Sequence, residues 1–218
     1  MSSSDVVALV AAAIGAFLGA SFAFLLEESK RERAEESARY ASLIQAQFAL
    51  SMQLRTMVNI RDQYLNEVRN RADRFMLLVP FHGESSDPLV DLGAVGFVAV
   101  DGQVDVLQQV HMAQDAYSTA LSSLRTRTEM MSALYEVIVP SGDFNFETGA
   151  ETVSVDARRA RRLKGITDGL YESVDSAIQL EHTAIELLAQ TGKRLFPKRH
   201  FLVVEEVAPS PHQTSTST

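Results

Sequence analysis

The sequence predicts an all-α protein: an N-terminal single transmembrane helix followed by an elongated antiparallel helical bundle of three long helices plus short extras. Three observations lead to that expectation. Val6 to Leu26 carries no charge and no proline, and Asp5 and Glu27 bracket it. Gly and Pro are missing throughout 20–79, and again throughout 103–139. Beyond the first segment the apolar residues recur at three- and four-residue steps, which is the helical period.

The first segment has the length of a membrane span. About 20 apolar residues at about 1.5 Å each match a hydrocarbon core of roughly 30 Å. A helix is the one single-segment structure that satisfies its own backbone in lipid. Only Ser21 in the segment is polar, whereas a core helix of a globular body carries a polar face. Ser21-Phe22-Ala23 offers a small-x-small cleavage pattern, but MSSSD has no Lys or Arg and the run continues to Leu26. A retained signal-anchor therefore fits better than a cleaved leader.

Flanking charge gives the orientation. Lys30, Arg31, Arg33 and Arg39 follow the segment and no cation precedes it. The positive-inside rule then places the C-terminal body in the cytoplasm, and the overall look is that of a bacterial inner-membrane protein. Ala11, Gly15, Gly19 and Ala23 fall four apart on one stripe, which predicts self-association of the membrane helix and a homo-oligomer.

Domain organisation follows from these breaks. Residues 1–5 form a short polar tail, 6–26 the transmembrane helix, 27–207 the helical bundle domain and 208–218 a disordered tail rich in Ser, Thr and Pro. Within the domain the helices are expected at about 27–76, 102–139 and 153–191. In the first, Tyr40, Ile44, Leu54, Val58, Leu65, Val68, Ala72 and Phe75 form one stripe, with Gln47, Ser51 and Arg61 as gaps. Leu43, Leu50, Met57 and Tyr64 form a second stripe beside it. The two together suit a bundle face.

Pro80, Gly83 and Pro88 mark the first break, and Asp101 reads as the N-cap of the second helix. In that helix Tyr117, Leu121, Leu124, Thr128, Met131, Tyr135 and Ile138 step 4-3-4-3-4-3, a coiled-coil seam. Residues 140–149 are the second break. The third helix carries Leu163, Ile166, Leu170, Ala177, Leu180, Ala184 and Leu187 on one face, interrupted by Gly165 and Gly169, and Gly192 reads as its C-cap. With successive helices antiparallel, the second returns toward the membrane and the third begins there.

Net charge is −8 and uneven. Residues 27–79 hold nine basic and eight acidic side chains, 80–152 two and eleven, and 153–200 nine and six. An acidic helix packed between two more basic ones is the simplest account, and the acidic balance argues against nucleic acid as a partner. Arg158, Arg159, Arg161, Arg162 and Lys164 put five cations in seven residues, a candidate contact for anionic lipid or an acidic partner. On the antiparallel geometry they face the membrane.

The chain has no cysteine, hence no disulfide, thiolate nucleophile or Cys metal site. His182/Glu186 and His111/Asp115 stand at i,i+4, but the Glu-x-x-His spacing of di-iron bundles does not occur. No nucleophile elbow, P-loop, dinucleotide fingerprint or zincin motif is present. Asp143, Glu147 and Glu151 read as loop surface, and Phe144 and Phe146 as packing on the bundle end. No catalytic, cofactor-binding or metal-binding residues are therefore assigned.

The functional expectation is a non-enzymatic, membrane-anchored helical scaffold or adaptor for an unidentified protein partner. Two alternatives follow from the same segments: a ligand-sensing bundle on the non-cytoplasmic side, and an oligomerising membrane effector acting through Gly15 and Gly19.

Overall fold

The computed structural model describes residues 3–83, 87–138 and 156–202, without the side chains of 3–14, Ala16, Val137 and Ile138. The described residues are predominantly helical, and they contain no strand. α1 spans Ser3–Ile60, α2 Arg74–Leu77, α3 Phe97–Val100, α4 Val104–Ile138 and α5 Ala157–Leu195. The chain forms two compact units, Met1–Ser42 and Leu43–Thr218.

In the first unit α1 runs through the apolar segment and the charged stretch behind it. Arg31 lies near Glu28 and Glu35, one turn away on either side, in exposed pairs. Such pairs contribute a few tenths of a kcal/mol each. Phe17, Leu18, Phe22, Phe24, Leu25 and Leu26 are exposed. Among the described residues no helix is long and apolar enough to cross a membrane. The expected span falls partly outside them, since the side chains of 6–14 and Ala16 are not described.

The second unit is built on heptad spacing in all three long helices. The buried line is Leu43, Ala46, Leu50, Gln53, Met57 and Ile60 in α1. In α4 it is Val106, Val110, Ala113, Tyr117, Ala120, Leu124, Arg127, Met131 and Leu134. In α5 it is Leu163, Thr167, Leu170, Val174, Ala177, Glu181, Ala184, Leu188 and Thr191. Each line alternates steps of three and four, so one stripe per helix faces the common core, widened by Gln47, Ala49 and Leu54 on α1 and by Tyr171, Ile185 and Ala189 on α5.

These lines correct the expected stripes. In α4, Tyr117, Leu124 and Met131 are shared, but Ala113, Ala120, Arg127 and Leu134 complete the line in place of Leu121, Thr128 and Tyr135, while the side chain of Ile138 lies outside the described residues. The core there prefers small or satisfied side chains over the larger apolar ones one residue away; Tyr135 is 40% exposed. In α5 the line passes through Thr167, Glu181 and Leu188 rather than Ile166, Leu180 and Leu187. In α1 the secondary stripe of Leu43, Leu50 and Met57 is the centre.

The expected direction of the second helix is also corrected. Gln47 Nε2 donates to Ile185 O at 3.3 Å, and Tyr171 Oη donates to Leu65 O at 2.9 Å, so α1 beyond Leu43 is antiparallel to α5. Gln109 Nε2 donates to Leu180 O at 3.4 Å, and Arg127 Nε to Thr167 Oγ1 at 3.2 Å, so α4 is antiparallel to α5 as well. α1 and α4 are therefore parallel to each other. The return is made by non-helical chain: Phe81 N donates to Thr128 Oγ1, Tyr117 Oη to Asp87 Oδ2 and Gln114 Nε2 to Val90 O, stepping down α4 as the chain advances. Pro80, Gly83 and Pro88 explain why this stretch is not helical.

The first helix does not reach 76. After Ile60 it widens into a π-turn over Arg61–Leu65, then tightens to a 3-10 turn over Asn66–Val68. Asp101 ends α3 rather than opening α4; Gly102 behind it has φ of 79°, a left-handed conformation that suits glycine. Gly192 lies inside α5, which ends at Leu195; the ring of Phe201 packs directly on it, and a Cβ there would collide with that ring. Gly165 and Gly169 meet no neighbour, so close packing does not explain them.

Candidate functional site

The polar residues in these seams are the chemically distinctive part of the molecule. Arg127 is fully buried at a seam position of α4. Its guanidinium donates to Thr167 Oγ1 at 3.2 Å, Tyr64 Oη at 3.0 Å, Val79 O at 3.2 Å and Phe75 O at 3.3 Å, and also to Leu78 O. The Tyr64 hydroxyl donates in turn to Val79 O. One side chain thus ties α4 to α5, to the π-turn and to the three carbonyls where α2 ends. Burial pulls the Arg127 pKa below its ordinary value, and the guanidinium nonetheless stays charged. Burial likewise pushes the Tyr64 hydroxyl up.

Around this node the segment 69–74 is fastened to α5 by ions. Arg69 Nη2 lies 2.6 Å from Asp175 Oδ2 and Arg74 Nη2 lies 2.6 Å from Asp168 Oδ1. Both guanidinium groups also stand over the Tyr171 ring, at 5.3 and 4.5 Å from its centroid. Lys164 reaches Asp168 at 2.6 Å, and the hydrogen bonds from Lys164 and Arg74 hold that carboxyl below its usual range. These pairs correct the charge account made from composition. Among the described residues, ion pairs join the 69–74 segment to α5, and none joins the carboxylates of α4 to another helix.

At the other end of the seams Gln47, Gln53 and Glu181 are fully buried. Gln47 is satisfied: besides Ile185 O, its Nε2 reaches Leu202 O at 3.4 Å, and its Oε1 accepts from Leu202 N at 3.2 Å. Gln53 Nε2 donates to Pro88 O at 2.7 Å, but its Oε1 is buried without a donor. Both oxygens of Glu181 are buried without a partner. Desolvation, and next to it the charge of Asp87, pushes the Glu181 pKa up to about 9.

The basic cluster opens α5. Arg158, Arg159, Arg161, Arg162 and Lys164 are all exposed. Asp156 caps the helix by accepting from Arg158 N at 3.1 Å. The geometric reason for setting this cluster against a membrane was the return of the second helix, and that helix does not return. The cluster lies at the end of the bundle opposite Leu43, beside Arg74 and Asp168. Of the small-residue stripe, a Cβ on Gly15 or Gly19 would meet nothing within 4 Å, and the side chains of Ala11 and its neighbours are outside the described residues. Asp143, Phe144, Phe146, Glu147 and Glu151 also lie outside them.

His111 and His182 approach only their own helix partners, Asp115 at 3.6 Å and Glu186 at 3.8 Å. Among the described residues no group of three or more His, Asp or Glu side chains stands close enough to hold a metal ion. Sequence reasoning missed Arg127, Gln53 and Glu181 because it searched seams for apolar residues; their 4-3 spacing from Leu124, Leu50 and Ala177 was the available signal. Comparison with protein-family models, with curated proteins and with solved structures finds no match to this chain.

Proposed function

We propose that the chain is a non-enzymatic scaffold or adaptor, anchored in a membrane by residues 6–26 and presenting its helical bundle to a protein partner. The observation that carries this reading is the exposure of Phe17, Leu18, Phe22, Phe24, Leu25 and Leu26 on one helix. Consecutive residues of a helix are separated by about 100°, so Phe24, Leu25 and Leu26 alone sweep more than half of its circumference. A side chain of that size costs about 1.5–3 kcal/mol when left in water. Six of them make an aqueous environment for this stretch unfavourable by roughly 10 kcal/mol, and lipid covers an all-round apolar surface where a single partner helix would cover one face. Lys30, Arg31, Arg33 and Arg39 favour a cytoplasmic bundle, in the manner of a bacterial inner-membrane protein.

Two contact surfaces follow from this reading. The stripe of Ala11, Gly15, Gly19 and Ala23 supports pairing of the anchor with a second copy. Arg158, Arg159, Arg161, Arg162 and Lys164 support docking of an acidic protein surface or anionic lipid at the end of the bundle where α5 begins.

The test pairs membrane fractionation under alkaline carbonate wash with two reporters fused after Val207, one active only in the cytoplasm and one only outside it. The expected result is carbonate-resistant membrane protein with a cytoplasmic reporter signal. Release by carbonate refutes the anchor. A non-cytoplasmic signal refutes the orientation and moves the ligand-sensing bundle to first place.

A further inference from the structure

Glu181 is the one fully buried carboxylate among the described residues, and nothing in the bundle neutralises it. Its only buried cationic counterpart, Arg127, is bound at the level of Thr167. Fourteen residues separate Thr167 from Glu181, about 21 Å along α5, too far for a pair. What does stand level with Glu181 is Gln53. The bonds from Gln47 to Ile185 and from Tyr171 to Leu65 fix the register of α1 on α5, and six residues beyond Gln47 the facing position on α5 is 180–181. The return segment gives the same answer independently: Gln53 donates to Pro88 O, and the adjoining Asp87 is the charge that acts on Glu181.

Gln53 Nε2 is committed to Pro88 O, so the orphaned Oε1 must be the acceptor left over. An ionised Glu181 offers only acceptors. A protonated Glu181 offers one O–H donor, which is what an orphaned amide oxygen on the facing helix lacks.

We infer that Glu181 and Gln53 form a proton-held latch between α1 and α5: the protonated Glu181 carboxyl donates to the Gln53 side-chain carbonyl, and ionisation of Glu181 loosens the α1–α5 seam and the strap at 87–90. The other titratable groups at this level act in the same direction or not at all. From the return segment comes Asp87, which is negative and already receives the Tyr117 hydroxyl of α4. α4 contributes Tyr117, which donates to Asp87, and Gln109 and Gln114, bound to backbone carbonyls; its titratable His111 and Asp115 lie 3.6 Å from each other on the exposed side of the helix. α1 contributes Gln53 and Gln47. On α5, His182 turns its Nδ1 to Glu186 at 3.8 Å. Once ionised, Glu181 faces no cation and one carboxylate.

The direction of the effect follows from where the proton is held more tightly. The folded chain binds it up to about pH 9, the unfolded chain only to about 4.5. Folding is therefore most favoured by this group below 4.5, weakens tenfold per pH unit above that, and levels off beyond about 9. Glu181→Gln supplies an amide N–H in place of the carboxyl O–H and cannot ionise. At pH 7 it removes a penalty of about 300-fold in the folding equilibrium, a factor of ten for each unit between 4.5 and 7.

The experiment uses the full chain in detergent micelles, with glutamate labelled at the carboxyl carbon. In the wild type one carboxyl resonance is expected to titrate with a midpoint near 9, and that resonance is expected to vanish in Glu181→Gln. Amide exchange of 47–57 and 178–188, corrected for intrinsic rate, is expected in the wild type to accelerate with rising pH up to about 9 and level off above it, and to stay flat in the variant. The inference is overturned if every glutamate of the wild type titrates in the ordinary carboxylate range, a readout that needs no variant to fold. It is equally overturned if the exchange profiles of the two proteins rise together. This latch does not depend on the membrane reading, since it lies wholly within the bundle.

Discussion

Replacing Arg127 by Met tests the claim that a single buried cation fastens the return segment. Met has similar length, fills the volume and packs in irregular cores, so the substitution removes donors without opening a large cavity. Five acceptors lose the guanidinium: Thr167 Oγ1, Tyr64 Oη, Phe75 O, Leu78 O and Val79 O. They do not all become orphans. Val79 O keeps the Tyr64 hydroxyl, and Thr167 and Tyr64 retain protons of their own to donate. The loss therefore concentrates on Phe75 O and Leu78 O. An unsatisfied buried acceptor costs about 1–3 kcal/mol, so the two together cost about 4 kcal/mol. Relief from burying a charge offsets part of this, leaving a net loss of about 3 kcal/mol. Urea unfolding followed by circular dichroism gives the global figure. Hydrogen exchange gives its location: protection is expected to fall over 74–83 and to persist over 170–190. A loss under about 1 kcal/mol, or a gain, would refute the reasoning and show that desolvation of the guanidinium outweighs its hydrogen bonds.

Two neighbouring residues provide further tests. Asp168→Asn weakens the ties to Arg74 and Lys164 and should cost about 1 kcal/mol, reduced by high salt because the pair is partly exposed. Its carboxyl titrates below the ordinary value when folded, so this contribution is present at neutral pH and lost as pH falls through the acid range. Wild type and Asp168→Asn should thus converge in stability once the pH falls below the ordinary carboxylate range; curves that stay parallel there would contradict the assignment. Tyr171→Phe keeps the ring under Arg69 and Arg74 and deletes only the hydroxyl that donates to Leu65 O, so unfolding should become easier by about 1 kcal/mol. A neutral result would assign the role of Tyr171 to its ring.

The helical class was legible because helix period and the absence of breakers are local properties of the chain. The break that begins at Pro80 was legible for the same reason: Pro and Gly act where they stand. The seam of α4 was half legible. Tyr117, Leu124 and Met131 could be read from their spacing, but the alternate positions hold Ala113, Ala120 and Arg127, which apolar bulk does not point to. Gln47 looked like a gap in a stripe; in the fold its two-sided amide bonds to Ile185 and Leu202 fill that gap. Helix direction was not legible at all. Two consecutive helices are normally antiparallel when their link is short, and here the link is long enough to travel the length of the bundle. Only pairings such as Gln114 with Val90 and Phe81 with Thr128 disclose that it does. The end of α1 at Ile60 escaped notice because nothing in Arg61–Leu65 breaks a helix; what selects the wider turn is tertiary, with Leu65 fully buried and its carbonyl taken by Tyr171.

The parallel course of α1 and α4 has an electrical consequence. Two helices aligned in one sense add their dipoles, while α5 alone opposes them, so the bundle keeps a net axis with its negative pole where α4 ends and α5 begins. That pole is where the side-chain cations gather: Arg69 and Arg74 on the link, then Arg158, Arg159, Arg161, Arg162 and Lys164 on the first turns of α5. At the start of a helix such cations oppose that helix's own dipole, and its first turn holds no acidic residue. The carbonyl end of the neighbouring α4 offsets that repulsion. The field of this pole reaches about 8 Å into physiological saline and shrinks to about 3 Å at 1 M salt. Whatever docks there through charge will let go as ionic strength rises.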